Sequence, residues 1–528
     1  MRITNKIMQN NSLNNVNYNK ILMDKYNTQM ATQKKISRPS DDPVVAIRAL
    51  RLRSNVTEVT QYYSKNIPDA ESWLSVTEGA LDNVVNVITD MYKQCTKGSS
   101  GELTNDDREI ILESLKALRD EVYATGDADY AGRYVFTGYR TDTSLMFPAS
   151  TEKTYEITEQ LDKTAADTIT FVDTTADDGN GNVVDLYDMT TANHDGMNIK
   201  EQDIEAMEVH RIQLAYSGLD NVVPELTHMV KGADGNPQEV SFTHDAITTA
   251  NSYNIPSPYT EAATNPNAVI FVQDTGELLL GKNVYDQVMA TKDDPSTSNV
   301  NEGEIRITYR KSEWAKGDLR PEHYFACKTD PDDVDKKIEY NQDYLASTEG
   351  STQVIEYDVG FNQSLRVNST ADECFKHGVG REVDDLIRAL ENTIEMEKVV
   401  GDLEDLLEAN KGTNKEADIQ KKLDAANKAY TLLKDSTQRM FEAGMTTMQG
   451  YLADANLAVT NNGTRGQKLA LIENRMMTQK TTFETLKSEN EDADIADATI
   501  KLTSANMVYE ASLMATSKVM QTSLLEFI

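Results

Sequence analysis

The sequence predicts an α+β protein: an elongated antiparallel helical bundle of N- and C-terminal long helices with a mainly β central insertion. Three observations predict it. Apolar residues recur at three-four spacing through both ends of the 528 residues. The middle is instead rich in Thr, Asp, Gly and Pro around short β-branched runs. The two helical halves mirror one another about that middle, so each can bury its seam only against the other.

Met1 to Ser37 is Asn-rich, with apolar residues at Ile3, Ile7, Leu13, Ile21, Leu22, Tyr26 and Met30. Asparagine lowers helix propensity, so this helix is expected to firm up only on contact. A boundary follows at Arg38-Pro39-Ser40-Asp41-Asp42-Pro43, with Asp42 as N-cap and Pro43 at the first helical position. From there Val45, Ala49, Leu52, Val56, Val59 and Tyr63 form a seam that continues through Ala70, Trp73, Thr77, Ala80, Val84, Val87 and Met91. Pro68 lies inside this run and predicts one long kinked helix ending near Lys97. After the turn Gly98-Ser99-Ser100-Gly101, Thr104 to Thr125 predicts a second helix with Ile111, Leu115, Leu118 and Val122 in its seam.

At Gly126 the pattern changes, and Asp129 to Gly138 predicts a turn into a strand, with Gly132 and Gly138 supplying positive-φ turn positions. Further strands are expected at Thr168 to Val172, Val269 to Val272, Ile305 to Tyr309 and Val354 to Val359, with one helix, Asp203 to Ser217, among them. Helical period returns at Arg381 with Val383, Ile387, Leu390 and Ile394. The cleanest seam follows Gly412: Ile419, Leu423, Ala426, Tyr430, Leu433, Thr437, Met440, Gly444, Thr447 and Tyr451. A break is predicted at Asn461-Asn462-Gly463, after which Leu469, Ile472, Met476, Phe483 and Leu486 resume the period.

The stretch from Asp494 to Ile528 carries a narrow seam at Ile495, Ala498, Leu502, Ala505 and Tyr509, which turns small and polar at Ser512 and Thr516. It closes on Val519 and the apolar Leu524, Leu525, Phe527 and Ile528. Chain ends are usually polar and frayed. This adhesive helix is expected to need a partner, either the N-terminal helix or another copy of the chain. The expected domains are 1–37 with 491–528 as terminal coiled-coil assembly helices, 38–138 with 381–490 as the long-helix bundle, and 139–380 as a mainly β insertion of one or two subdomains.

The net charge of −34 argues against nucleic acid and anionic membrane as partners. The acid is unevenly spread: Met1 to Arg53 holds ten Lys or Arg against Asp24, Asp41 and Asp42, a basic arm on an acidic body. Cys95, Cys327 and Cys374 form no CxxC or Cys/His cluster, so neither a disulfide framework nor a metal site is expected. The start, MRITNKIMQNNSLNNVNYNK, has no apolar core of a secretory signal, and no run approaches a membrane span. His194, His210, His228, His244, His323 and His377 make no HExxH or HxH motif and are expected on the surface. Asp177 to Asn182 is expected to be a polar turn, because the Glu that would close a calcium loop is missing. Neither catalysis nor a cofactor is expected.

Several segments together resemble one family. Met1-Arg2-Ile3-Thr4-Asn5-Lys6, then Ser40-Asp41-Asp42-Pro43 with Ala46, Ala49 and Leu50, and the more discriminating Gly132-Arg133-Tyr134-Val135-Phe136-Thr137-Gly138 carry it at the front. Gly466-Gln467-Lys468-Leu469, Glu491-Asp492-Ala493-Asp494, Tyr509-Glu510-Ala511-Ser512-Leu513 and Ser523 to Ile528 carry it at the back. These resemble the flagellin superfamily, and within it the hook-associated protein 3 branch of bacterial flagella, over roughly the first 147 and last 150 residues. Tyr344-Leu345-Ala346, Ile355 to Asn368 and Gly317 to Phe325 extend the resemblance into an insertion that is long for the family.

The resemblance implies a structural subunit at the hook-filament junction, outside the cell in the flagellum after type III export. Its partners would be further copies of itself in a ring, the other hook-associated junction protein, flagellin and a cytoplasmic export chaperone. Assembly and chaperone binding would fall on Leu502, Ala505, Tyr509, Leu513, Val519, Leu524, Leu525, Phe527 and Ile528, and N-terminal assembly on Ile3, Ile7, Leu13, Ile21 and Leu22. The alternatives are a filament flagellin, from which the GRYVFTG run and SLLEFI ending separate it, and a cytoplasmic coiled-coil scaffold.

Overall fold

The computed structural model describes residues 5–177, 183–189, 197–232, 236–291, 302–346 and 353–521. Its helices are α1 (Asn5–Thr32), α2 (Pro43–Gln61), α3 (Ile67–Gly98), α4 (Asn105–Ala124), α5 (Pro258–Thr264), α6 (Lys282–Ala290), α7 (Ala371–Cys374), α8 (Gly378–Ala409), α9 (Glu416–Glu491) and α10 (Ile495–Gln521). The fold is α+β. The chain divides into two compact units: Met1–Glu71 with Tyr357–Leu365 and Gln467–Ile528, and Ser72–Glu356 with Arg366–Gly466.

In the first unit, Asp42 caps α2 by accepting from Val44 N at 3.0 Å and Val45 N at 3.1 Å, with Pro43 in the first turn. Between α2 and α3 a π turn, Tyr62–Asn66, lies directly ahead of Pro68. Proline removes a donor and crowds the preceding turn, and the wider π loop accommodates both while the chain stays helical. A hairpin of Glu356–Gly360 and Gln363–Arg366 packs here. Asn66 donates to Asp358 O at 2.7 Å, and Phe361 meets Tyr62 and Phe483 edge to face.

The second unit holds the long-helix bundle and both large sheets. The paired positions Leu74 with Asn462 and Tyr92 with Gln449 run α3 antiparallel to α9, while Arg108 with Glu397 and Arg119 with Asp384 run α4 antiparallel to α8. Gly98 lies where Phe441 crosses, so close that a Cβ would overlap the buried ring. Thr104 and Asp107 close a capping box on α4.

A five-stranded sheet runs Thr248–Ala250, Val269–Val272, Glu277–Leu280, Glu205–Gln213, Ala166–Asp173, with only the first pair parallel. A six-stranded antiparallel sheet runs Ile338–Tyr340, Ala326–Thr329, Thr151–Leu161, Ile305–Trp314, Glu225–Lys231, Pro237–Ser241. Val172 and Leu186 pack with Met396, Leu403, Leu423 and Ala426, which joins the first sheet's region to α8 and α9 in one core.

Three expectations are corrected. The helix expected at Asp203 to Ser217 is the strand Glu205–Gln213, paired on both sides. Its alternation at Met207, Val209 and Arg211 was hidden because the inward Arg211 reads as polar; its charge is met by Asp167, Glu277 and Asp385. The break expected at Asn461-Asn462-Gly463 does not occur, since α9 runs through it. Asn462 is buried there and donates to Leu74 O at 2.9 Å, so packing against α3 overrides a weak local propensity.

The histidines are not uniformly on the surface either. His323 is buried with its pKa pushed down to about 4, and burial lowers His377 to about 3 beside Tyr216 and Tyr324. His194 lies outside the described residues. So does most of the polar turn expected at Asp177 to Asn182, which the antiparallel pair Thr175–Asp177 and Val183–Asp185 flanks. Gly132 and Gly138 do have positive φ, 77° and 61°.

Candidate assembly interface

The terminal helices of the first unit pair antiparallel. Asn19 Nδ2 donates to Ser512 Oγ at 2.9 Å, and Thr499 Oγ1 approaches Met30 Sδ at 3.6 Å. The pair buries little: Val16 on α1, and Ala498 and Thr516 on α10. Leu502, Ala505, Tyr509 and Val519 are half-buried along the predicted seam, as is Leu22 on α1.

Other predicted residues face outward. Leu513 is 43% exposed, and Ile7, Leu13 and Ile21 are 48%, 45% and 67% exposed. Ile3, Leu524, Leu525, Phe527 and Ile528 lie outside the described residues. The residue periodicity did not single out Tyr18, Ile500, Met507, Val508, Met514 or Met520, which are also exposed. Their signal was the apolar content of the helix away from its seam. Large apolar side chains thus line the outer faces of both helices, and such concentrations mark interaction surfaces.

A clasp closes the open end of the pair. Lys35 N donates to Glu491 O at 2.8 Å and Ala493 N to Gln33 O at 2.9 Å, a short antiparallel bridge just past each helix. Glu491, its side chain only 4% exposed, receives Arg53 Nε at 2.6 Å and Nη2 at 2.7 Å, a bidentate charge-assisted pair. Lys34 Nζ bonds Asp492, and Asp494 Oδ1 caps α10 from Ala496 N at 2.8 Å. Each acid of Glu491-Asp492-Ala493-Asp494 therefore has its own task. The Arg53 hydrogen bond holds the Glu491 carboxyl below its ordinary range, and Lys34 does the same for Asp492. The uneven charge of the arm was the signal for this contact, although the partners themselves were not named by it.

Among the described residues no group of three or more His, Cys, Asp or Glu could hold a metal ion, and no helix is long and apolar enough to cross a membrane. Cys95, Cys327 and Cys374 are free and buried, and desolvation raises each thiol, Cys95 to about 12, which leaves them unreactive.

Residues 3–141 match the family model of the bacterial flagellin N-terminal helical region. The chain is 30% identical over 154 residues to flagellar hook-associated protein 3 of Escherichia coli strain K12, a stretch covering 29% of this chain and 47% of that protein. It is 28% identical over 145 residues to flagellar hook-associated protein 3 of Salmonella typhimurium strain LT2, covering 27% and 45%. A flagellin of Clostridium tyrobutyricum is 27% identical over 122 residues, covering 23% and 32%. The chain thus spans about half the length of the hook-associated relatives it matches.

Among solved structures, a putative flagellar hook-associated protein from Vibrio parahaemolyticus aligns with 86% of this chain and 100% of its own, at 14% identity and TM-score 0.36. FlgL of Xanthomonas campestris aligns with 81% and 98%, at 12% identity and TM-score 0.25. Residues 3–141 are thus similar to the flagellin N-terminal helical region. The similarity to two hook-associated proteins 3 agrees with the resemblance carried by the sequence motifs.

Proposed function

We propose that this chain is a structural subunit of the bacterial flagellum, forming the junction between hook and filament by self-assembly through α1 and α10. The observation that carries it is the apolar outer surface of that helix pair, with Ile21, Ile500 and Met514 each more than three-fifths exposed at 67%, 69% and 67%. A pair that buries so little of its own apolar surface gains stability by docking on further copies, at roughly 25 cal/mol per Å² removed from water. The partial similarity to hook-associated protein 3 supports the junction over the shaft of the filament.

In this reading the domains divide the work. Residues 1–37 with 491–528 assemble, 38–138 with 381–490 form the supporting bundle, and 139–380 is the insertion. The neighbours are further copies in a ring, the other hook-associated junction protein and flagellin. A cytoplasmic chaperone covers the α10 seam and the apolar residues through Ile528 before type III export to the flagellum. The role is mechanical, and no catalytic step belongs to it. Immunogold labelling of intact flagella with antibody to the insertion tests the reading. A single label at the hook-filament boundary is expected; label along the filament would make the chain a flagellin, and an unlabelled flagellum would overturn the assignment.

A further inference from the structure

The second unit contains a cavity of about 520 Å³ that the assembly role does not use. It lies between the outer strand Ala166–Asp173, the loop before α5, and the facing sides of α8 and α9. Its volume falls in the range of small-molecule sites. Phe171 and Tyr259 stack within it, centroids 4.8 Å apart and planes 12° from parallel. Tyr187 lines a second side, its hydroxyl donating to Asn392 O at 3.3 Å, and Tyr253, 74% exposed, contributes an open ring.

Its charge is one-sided. Among the described residues, five carboxylates and two guanidinium groups line it. Both cations are engaged: Arg211 bonds Asp167, Glu277 and Asp385, and Arg388 reaches Glu277 at 3.2 Å and Asp385 at 3.0 Å. Asp185 accepts from Thr174 Oγ1 at 2.7 Å and Tyr187 N at 3.2 Å, and neither it nor Glu395 has a cationic partner among the described residues. An anionic ligand would meet this negative excess with no uncommitted cation among the described lining residues to offset it. A positive group would gain from the carboxylates and from the faces of the tyrosines, where cation–π attraction contributes about 0.5–2 kcal/mol.

We propose that this cavity binds an organic cation, an alkylammonium or guanidinium group held against Tyr187 and Tyr253 and balanced by Asp185 and Glu395. The same chemistry is offered by a free polyamine and by a basic side chain of another polypeptide. The full chain is titrated calorimetrically at 150 mM salt, which suppresses diffuse attraction to the acidic surface. The probes are spermidine and acetyl-Gly-Arg-Gly-amide, with benzoate and glucose as controls. Saturable sub-millimolar binding of at least one cation is expected, and the cation that binds identifies the source, free amine or side chain. The double variant Glu395→Gln with Tyr253→Ala removes exposed groups and is expected to weaken binding about tenfold, on the order of 1.4 kcal/mol. The off-site pair Glu102→Gln with Glu113→Gln is expected to change it less than about twofold. Absence of saturable cation binding, equal binding of benzoate or glucose, or equal effects of the two double variants would overturn the proposal.

Discussion

Arg53 and Glu491, 438 positions apart in the chain, meet as a bidentate pair at 2.6 and 2.7 Å. The pair ties the third turn of α2 to the last residue of α9, beside the bridge that joins the ends of α1 and α10. Arg53 is half exposed while Glu491 is not, so solvent screens the attraction from one side only.

Arg53→Ala is expected to cost about 1 kcal/mol locally, the lower end for a charged hydrogen bond after screening. The amides of Lys35 and Ala493, which form the bridge, should exchange with deuterium several-fold faster while amides in α4 and α8 do not change. Uniform acceleration would contradict a local clasp.

The clasp should also respond to acid. Glu491 and Asp492 have folded pKa values below their ordinary ones, so the folded state binds fewer protons than the unfolded state in that range. Their stabilisation is complete above the ordinary carboxylate values of about 4 and is lost as pH falls through the depressed folded values. The protection of the Lys35 amide, its exchange rate corrected for the intrinsic pH dependence of amide exchange, should therefore fall on acidification from about pH 5 to pH 3, and Arg53→Ala should flatten that dependence.

Leu513→Asp with Met514→Asp places two charges on exposed positions of α10. Such surface changes usually alter stability by less than about 0.5 kcal/mol each, so thermal unfolding should barely shift. Incorporation into flagella should be abolished, measured by motility and by recovery of the chain from sheared flagella. Normal motility would remove α10 from the assembly surface.

Gly98→Ala drives a methyl group into the buried Phe441 ring and should destabilise the bundle by about 1–3 kcal/mol. Phe441→Leu in the same chain vacates the space. The double variant should be less destabilised than the sum of the two single changes, a coupling that denaturant unfolding measures.

In the insertion, burial alone would raise the pKa of Glu277, but Arg211 and Arg388 outweigh it and hold the carboxyl at about 2. Arg211→Met leaves Glu277 and Asp385 facing each other with less compensation and should destabilise by about 3–5 kcal/mol. Because the folded pKa is the lower one, the wild-type advantage is present above the ordinary Glu value near 4.5 and shrinks as pH falls toward 2. The gap between variant and wild type should narrow over that interval.

Residue order alone makes legible what depends on near neighbours along the chain. Asp42 and Pro43 start α2 because capping is a contact two and three residues long. The seams through Trp73, Leu115, Leu423 and Met476 are buried as their periods require, because three-four spacing puts them on one helix face. Val269 to Val272 is a strand with the predicted bounds, being short, β-branched or aromatic and flanked by turn residues. Tertiary structure alone decided the rest, since its causes are distant residues. Glu205–Gln213 is a strand because two neighbours complete its ladder and three distant carboxylates accept Arg211, and α9 passes through Asn462 because Leu74 O is there to receive its amide. Glu491 is the centre of the clasp for the same reason: its partners Arg53 and Lys34 reach it only once the chain has folded, and no local spacing encodes a contact of that range.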